Sequence, residues 1–166
     1  MEKIGKFSTV HESTVMGKNV RIGNNVTINP NVSIGENTVI GNNVVLGEPV
    51  ASYYSSPGEH NFSKLVIGKD SIIRSGSVIY EGSTFGDRFQ TGPMVSIRER
   101  NHFGYGSMFG TLCQSECDVE VGKNTRIING VEIGKNAKIG SYVFIFAHAV
   151  LTDDPHPPLG CCGIKA

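Results

Sequence analysis

Four polar residues in a row, Arg98-Glu99-Arg100-Asn101, interrupt the stretch "SIRERNHFGYGSMFGT". Each type can do recognisable chemistry. A carboxamide such as Asn101 can orient an amine or steady a developing oxyanion. A guanidinium such as Arg98 grips anions through a planar fork, and Glu99 beside it can form an ion pair with it. Glu116 lies 18 residues beyond Arg98 and offers a carboxylate suited to accepting a proton or holding a hydroxyl. His156, in the Pro-rich run "LTDDPHPP" that also holds Asp154, is a second candidate base. His102 follows Asn101 and suits a substrate contact or a subunit contact equally. The segment at 98–102, Glu116 and the run at 151–158 are far apart in the chain and can meet only through a regular fold that stacks them.

The rest of the sequence supplies that regularity. From Ile4 to Leu46 every sixth residue is apolar. A second register of the same period runs from Ile67 to Leu151, broken only by Thr91 and Ser115. In the first register the residue four places after each apolar position is small or β-branched, and in the second register Asn101 occupies one of these places. Such an Asn could instead form an amide ladder inside the fold or satisfy a corner carbonyl. Period six is neither helical nor a simple strand alternation. It joins short strands by turns, and the triplets GNN, GEN and GKN suit corners that need left-handed backbone angles. Three hexads make one triangular coil of about 18 residues, and stacked coils form a parallel β-helix. Residues 18 apart then stack at roughly 4.8 Å, so Ile67, Phe85, Phe103, Val121 and Ile139 should form one column.

The expected organisation is a single all-β domain. Coils over 1–47 are followed by an excursion over 48–64, main coils over 65–152, and a Pro- and Cys-containing loop over 153–166. The excursion has no period and carries Tyr53, Tyr54 and His60. With Lys+Arg and Asp+Glu both at 15 and no basic run, the chain gives no reason to expect nucleic acid or a polybasic membrane contact. No apolar stretch approaches a transmembrane span, and the N-terminus lacks a signal-peptide core, so the expected compartment is the cytoplasm. Four Cys in such a chain read as free thiols. No metal is expected: the five His include no close pair able to join a third in a zinc site.

The repeat resembles that of the hexapeptide acyltransferases, whose prisms are left-handed β-helices. The polar segment is closer still to the nucleotide-sugar N-acyltransferases. Ile97-Arg98-Glu99-Arg100-Asn101, Gly110-Thr111, Glu116 and the loop Leu151–Pro158 match their motifs, with Cys117 where a His is usual and Asp153 where an Asn is usual. The resemblance covers about residues 67–158. It implies transfer of an acyl group, acetyl by expectation, from acetyl-CoA to the amine of a nucleotide-linked amino sugar for surface polysaccharide biosynthesis. It further implies a homotrimer with sites between neighbours. Asn101, Glu116 and His156 would then be catalytic, and Arg98, Glu99, His102 and Asp154 would bind substrate, Arg98 at the pyrophosphate. Two alternatives stay open: O-acetylation of a sugar hydroxyl with His156 as base, and a shortened, non-catalytic β-helix scaffold.

Overall fold

The structure is a computed structural model that describes residues 3–56, 58 and 60–153. Strands of mostly two residues, from β1 (Lys3–Ile4) to β23 (Val150–Leu151), form three parallel sheets of eight, eight and seven strands. Consecutive strands go to successive sheets, so the chain winds as a three-sided parallel β-helix. Pairing joins residues 18 apart: Ile4 with Ile22, Val10 with Ile28, Phe85 with Phe103. The column from Ile67 to Ile139 is continuous through Phe85, Phe103 and Val121, as the sequence predicts.

Each side follows one rule. The sixth-position residue points inward, the chain turns, and the residue three places later takes a left-handed φ. Asn fills that place at Asn19, Asn25, Asn31, Asn37, Asn43, Asn124 and Asn136, with φ between 53° and 61°. The core is aliphatic at the N-terminal end and aromatic in the middle. Phe85, Phe89, Phe103 and Phe109 are buried with ring centroids 4.5–5.4 Å apart. Each buried ring is worth about 1.5–3 kcal/mol of transfer free energy.

Polar residues at the inward i+4 places tie coil to coil. The Ser8 hydroxyl donates to the Gly23 carbonyl and accepts the Val26 N–H. Thr38, Ser83 and Thr125 repeat the arrangement, and the Cys113 thiol does the same with Ile128 O and Val131 N. Cys113 is therefore a structural thiol, and burial pushes its pKa up.

The three corners are not alike. We call them corner I (first to second sheet), corner II (second to third) and corner III (third to first). The residue that opens corner III is Gly in every coil: Gly17, Gly35, Gly68, Gly86, Gly104, Gly122 and Gly140. The reason is close stacking, since a Cβ on Gly68 would lie 2.5 Å from Asp87 N. Corner II breaks that rule. Its opening column runs His11, Asn29, Gly47, Tyr80, Arg98, Glu116, Gly134 and Thr152. The excursion leaves at the same corner, after β8 (Val45–Glu48), forms helix α1 (Ala51–Ser55), and returns at β9 (Leu65–Ile67). Ile40 then pairs with Ile73, across 33 residues instead of 18.

Candidate active site at corner II

Stacking brings the polar segment together with the next coil. Arg98 Nη1 lies 3.3 Å from Glu116 Oε2, and Arg98 Nε lies 3.1 Å from Glu99 Oε2. The Arg98 guanidinium also sits over the Tyr80 ring, 5.7 Å from its centroid. Tyr80, Arg98 and Glu116 thus form one outward column. Glu99 is buried, with its carboxylate facing both Arg98 and Arg100. Its hydrogen bond to Arg98 raises the pKa of that guanidinium against the opposing effect of burial. Arg100 takes the left-handed place, with φ 57°, and grips Asp118 with both ends of its fork, at 2.7 and 2.9 Å. That grip holds the Asp118 carboxyl below the usual carboxylate range.

Asn101 faces the other way. It is 1% exposed, its Nδ2 donates to Ser115 Oγ at 2.8 Å and to the Arg98 carbonyl at 3.1 Å, and its Oδ1 accepts the Val119 N–H at 2.7 Å. The amide is committed within the prism, so the structure gives it the interior bridging role instead of presenting it to a substrate. Its partner Ser115 is one of the two residues that break the second register. The other, Thr91, accepts the Arg74 N–H at 2.8 Å.

Beyond Glu116 the outer face opens into a groove of about 220 Å³, lined by Gln114, Glu116, Glu132, Gly134, Thr152 and Asp153 among others. Asp154 and His156 lie outside the described residues. His102 is not part of the groove. It points out from the third sheet, bonds Thr84 Oγ1 through Nδ1 at 2.7 Å, and lines a separate groove of about 410 Å³ with Glu120, Lys123 and Lys138.

The structure adds Glu81, which sequence reasoning missed. It is 2% exposed, and its carboxylate accepts the Val50 N–H at 3.1 Å, the Ser63 N–H, and His60 Nε2 at 2.6 Å. One buried carboxylate therefore clamps both ends of the excursion to the wall beside Tyr80. His60 packs against Phe62 and Tyr53, with centroids 4.8 and 5.5 Å away. The Tyr54 hydroxyl donates to Glu48, which pushes its pKa up to about 12. The signal was present in the sequence, because Glu81 stands 18 residues before Glu99. Sorting the hexads by corner would have set both in one column.

Among the described residues no group of three His, Cys, Asp or Glu could hold a metal ion, and no helix is long and apolar enough to cross a membrane.

The family model of bacterial transferase hexapeptide (six repeats) matches residues 13–48 and 116–147. The protein is a hexapeptide-repeat β-helix. No curated protein matches the chain. Among solved structures it is similar to a UDP-N-acetylglucosamine acyltransferase from Bacteroides fragilis, at 17% identity and TM-score 0.52, over 87% of this chain and 65% of that one. It is also similar to a perosamine N-acetyltransferase from Caulobacter crescentus solved with CoA and GDP-perosamine, at 16% identity and TM-score 0.46, over 86% and 52%. A UDP-N-acetylglucosamine acyltransferase from Campylobacter jejuni follows at 16% and 0.39, over 90% and 65%. The chain thus spans about half to two thirds of the length of these proteins, and the likeness to the Bacteroides fragilis structure bears on the fold alone.

Proposed function

We propose that this protein is a cytoplasmic acyltransferase that moves an acyl group, acetyl by preference, from acetyl-CoA to the amine of a nucleotide-linked amino sugar. Surface polysaccharide biosynthesis would consume the product, and the working assembly would be a homotrimer. The observation that carries this reading is corner II. There the close-packed Gly of corner III gives way to Tyr80, Arg98 and Glu116, which face outward beside a groove.

The chemistry needs an amine, a thioester carbonyl and a place for one proton. The amine nitrogen attacks the carbonyl carbon, the tetrahedral oxyanion collapses, and the C–S bond breaks. The proton lost by nitrogen ends on the departing CoA sulfur, directly or by way of Glu116. Holding both reactants in line removes the largest entropic part of the barrier. Arg98, aimed by Glu99 and Tyr80, faces the acceptor's diphosphate. Asn101 sets the shape of the corner from inside, in place of the direct contact expected of it. His102, on the third sheet away from the corner II groove, would serve a subunit contact or a substrate contact from there. His156 and Asp154 keep their proposed roles as base and substrate contact.

The test follows free thiol while the protein is incubated with acetyl-CoA and a panel of nucleotide amino sugars. Thiol release with one acceptor, reduced about 10²-fold or more in Glu116→Gln, is expected. A folded protein that releases no thiol with any amine acceptor contradicts the reading. Release only with hydroxyl acceptors transfers it to O-acetylation.

A further inference from the structure

The excursion is built more firmly than a connecting loop needs to be. It leaves the wall at a β-bulge: Val78 and Ile79 pair with Val45 and Leu46, but Tyr80 pairs with Glu48, so Gly47 is the extra residue. Gly47 takes φ 76°, a left-handed angle that Gly adopts without strain. Bulges re-aim the side chains beside them, and those affected here are Glu48 and Tyr80 at corner II. Glu81 follows Tyr80, and its N–H donates to the Glu48 carbonyl at 3.0 Å.

Within the excursion one exposed ring stands on a stiff mount. Tyr54, in α1, is 65% exposed. Its hydroxyl is tied to Glu48, and Tyr53 meets its ring edge-on with centroids 5.2 Å apart. Tyr53 in turn packs against His60 and Phe62, and His60 is bound to the buried Glu81. The bracing therefore runs from the wall to the ring. An exposed side chain held in this way has already lost much of the freedom that ligand binding would otherwise take from it. Glu48 raises the Tyr54 pKa most and Tyr80 adds to the effect, so the two tyrosines are neighbours.

These groups fall in order along the prism. Glu48 lies one coil before Tyr80, Tyr80 one coil before Arg98, and Arg98 one coil before Glu116. At about 4.8 Å per coil, the Glu48 tether of Tyr54 stands about 10 Å from Arg98 along the axis, with Glu116 about 5 Å beyond. A nucleotide-linked sugar has its parts in the same order: flat base, ribose, diphosphate, sugar. The Arg98 guanidinium already lies over the Tyr80 ring, which leaves Tyr54 as the ring open to a base.

We propose that the Tyr54 ring is the base-stacking platform of the acceptor site, with the ribose passing over Tyr80 and the diphosphate at Arg98. The base then lies towards the N-terminal end of the prism and the amine towards the groove beyond Glu116. Every base has a π-face, so stacking supplies affinity for a nucleoside without choosing among bases. Glu81 is a positioning residue: it touches no ligand and acts by holding both ends of the excursion. The naming of the occupant rests on the acyl-transfer reading, but the binding test below involves no acyl transfer.

The probes are uridine diphosphate and methyl diphosphate, which carries the same charged group without a base, each titrated calorimetrically against the whole protein. Wild type should bind the nucleotide about 5- to 100-fold more tightly. Tyr54→Ala should remove that advantage and leave methyl diphosphate binding unchanged, which also shows that the variant is folded. Tyr54→Phe keeps the ring and should retain most of the advantage. Glu81→Gln should lose part of it, again with methyl diphosphate unchanged, a ratio that a general loss of stability would not move. Equal affinity for the two probes in wild type, or binding of neither, overturns the platform. So does an advantage that survives Tyr54→Ala. The expected binding pattern without thiol release from acetyl-CoA leaves the platform standing and defeats acyl transfer. Thiol release with an unchanged acceptor KM in Tyr54→Ala does the reverse.

Discussion

The paired breaks in the repeat, Asn101 and Ser115, make a prediction that separates an interior bridge from a substrate contact. Restoring the ordinary repeat residues gives Asn101→Val, Ser115→Ile and the double variant. Asn101→Val strips the Val119 N–H of its acceptor and Ser115 Oγ of its donor, both in the interior. Each buried polar group left unpaired costs about 1–3 kcal/mol, so about 3 kcal/mol is expected. The Arg98 carbonyl is spared because it also accepts from Ser83 Oγ at 2.9 Å. Ser115→Ile leaves one amide hydrogen without an acceptor and adds volume, for about 1–3 kcal/mol. Replacing both partners removes the Asn101 amide hydrogen and Ser115 Oγ together and leaves only the Val119 N–H stranded, so the double variant should recover about 1–2 kcal/mol relative to the sum. At about 2–4 °C per kcal/mol, Asn101→Val should melt about 6–12 °C below wild type. Urea denaturation of all four proteins gives the coupling. Additivity within about 0.5 kcal/mol would refute the bridge. A stable double variant that still releases thiol confirms that the carboxamide works through the fold, whereas a stable one that has lost 100-fold in kcat returns Asn101 to the substrate.

Two further outcomes follow from the same corner. Glu81→Gln replaces an acceptor oxygen by an amide nitrogen opposite a backbone N–H, and should cost about 2–3 kcal/mol while speeding proteolytic cleavage within 48–64 several-fold; unchanged cleavage would show that the excursion is held by something else. Asp118 has a lower pKa folded than unfolded, so the unfolded chain binds more protons and stability falls with pH through that range. Its contribution is complete above the ordinary carboxylate value of about 3.9 and fades below it, so the stability gap between wild type and Asp118→Asn, measured by denaturation from pH 7 to pH 2, should close on the acid side. A gap that widens as pH falls contradicts the Arg100–Asp118 pairing.

Much of this architecture is legible in the sequence because period six encodes it directly. The inward columns, the Asn corners and the excursion all announce themselves as spacing. The site is less legible because its meaning lies at spacing 18. Read hexad by hexad, Arg98 and Asn101 look like one polar run. Stacked, Arg98 opens outward to Glu116 while Asn101 turns inward to Ser115. The Asn101–Ser115 partnership joins residues 14 apart that touch only once one coil lies on the next. Glu81 resembles the exposed acids Glu12 and Glu36 until the excursion folds over it. His102 follows Asn101 directly, yet a corner intervenes and sends it to another face.

The central claim is that corner II faces the substrate. It is tested most directly by a crystal structure of the protein soaked with CoA and a nucleoside diphosphate. The account predicts diphosphate density beside Arg98, with the thiol end of CoA reaching the groove at Glu116. Diphosphate bound instead among His102, Lys123 and Lys138, with corner II empty, would contradict it.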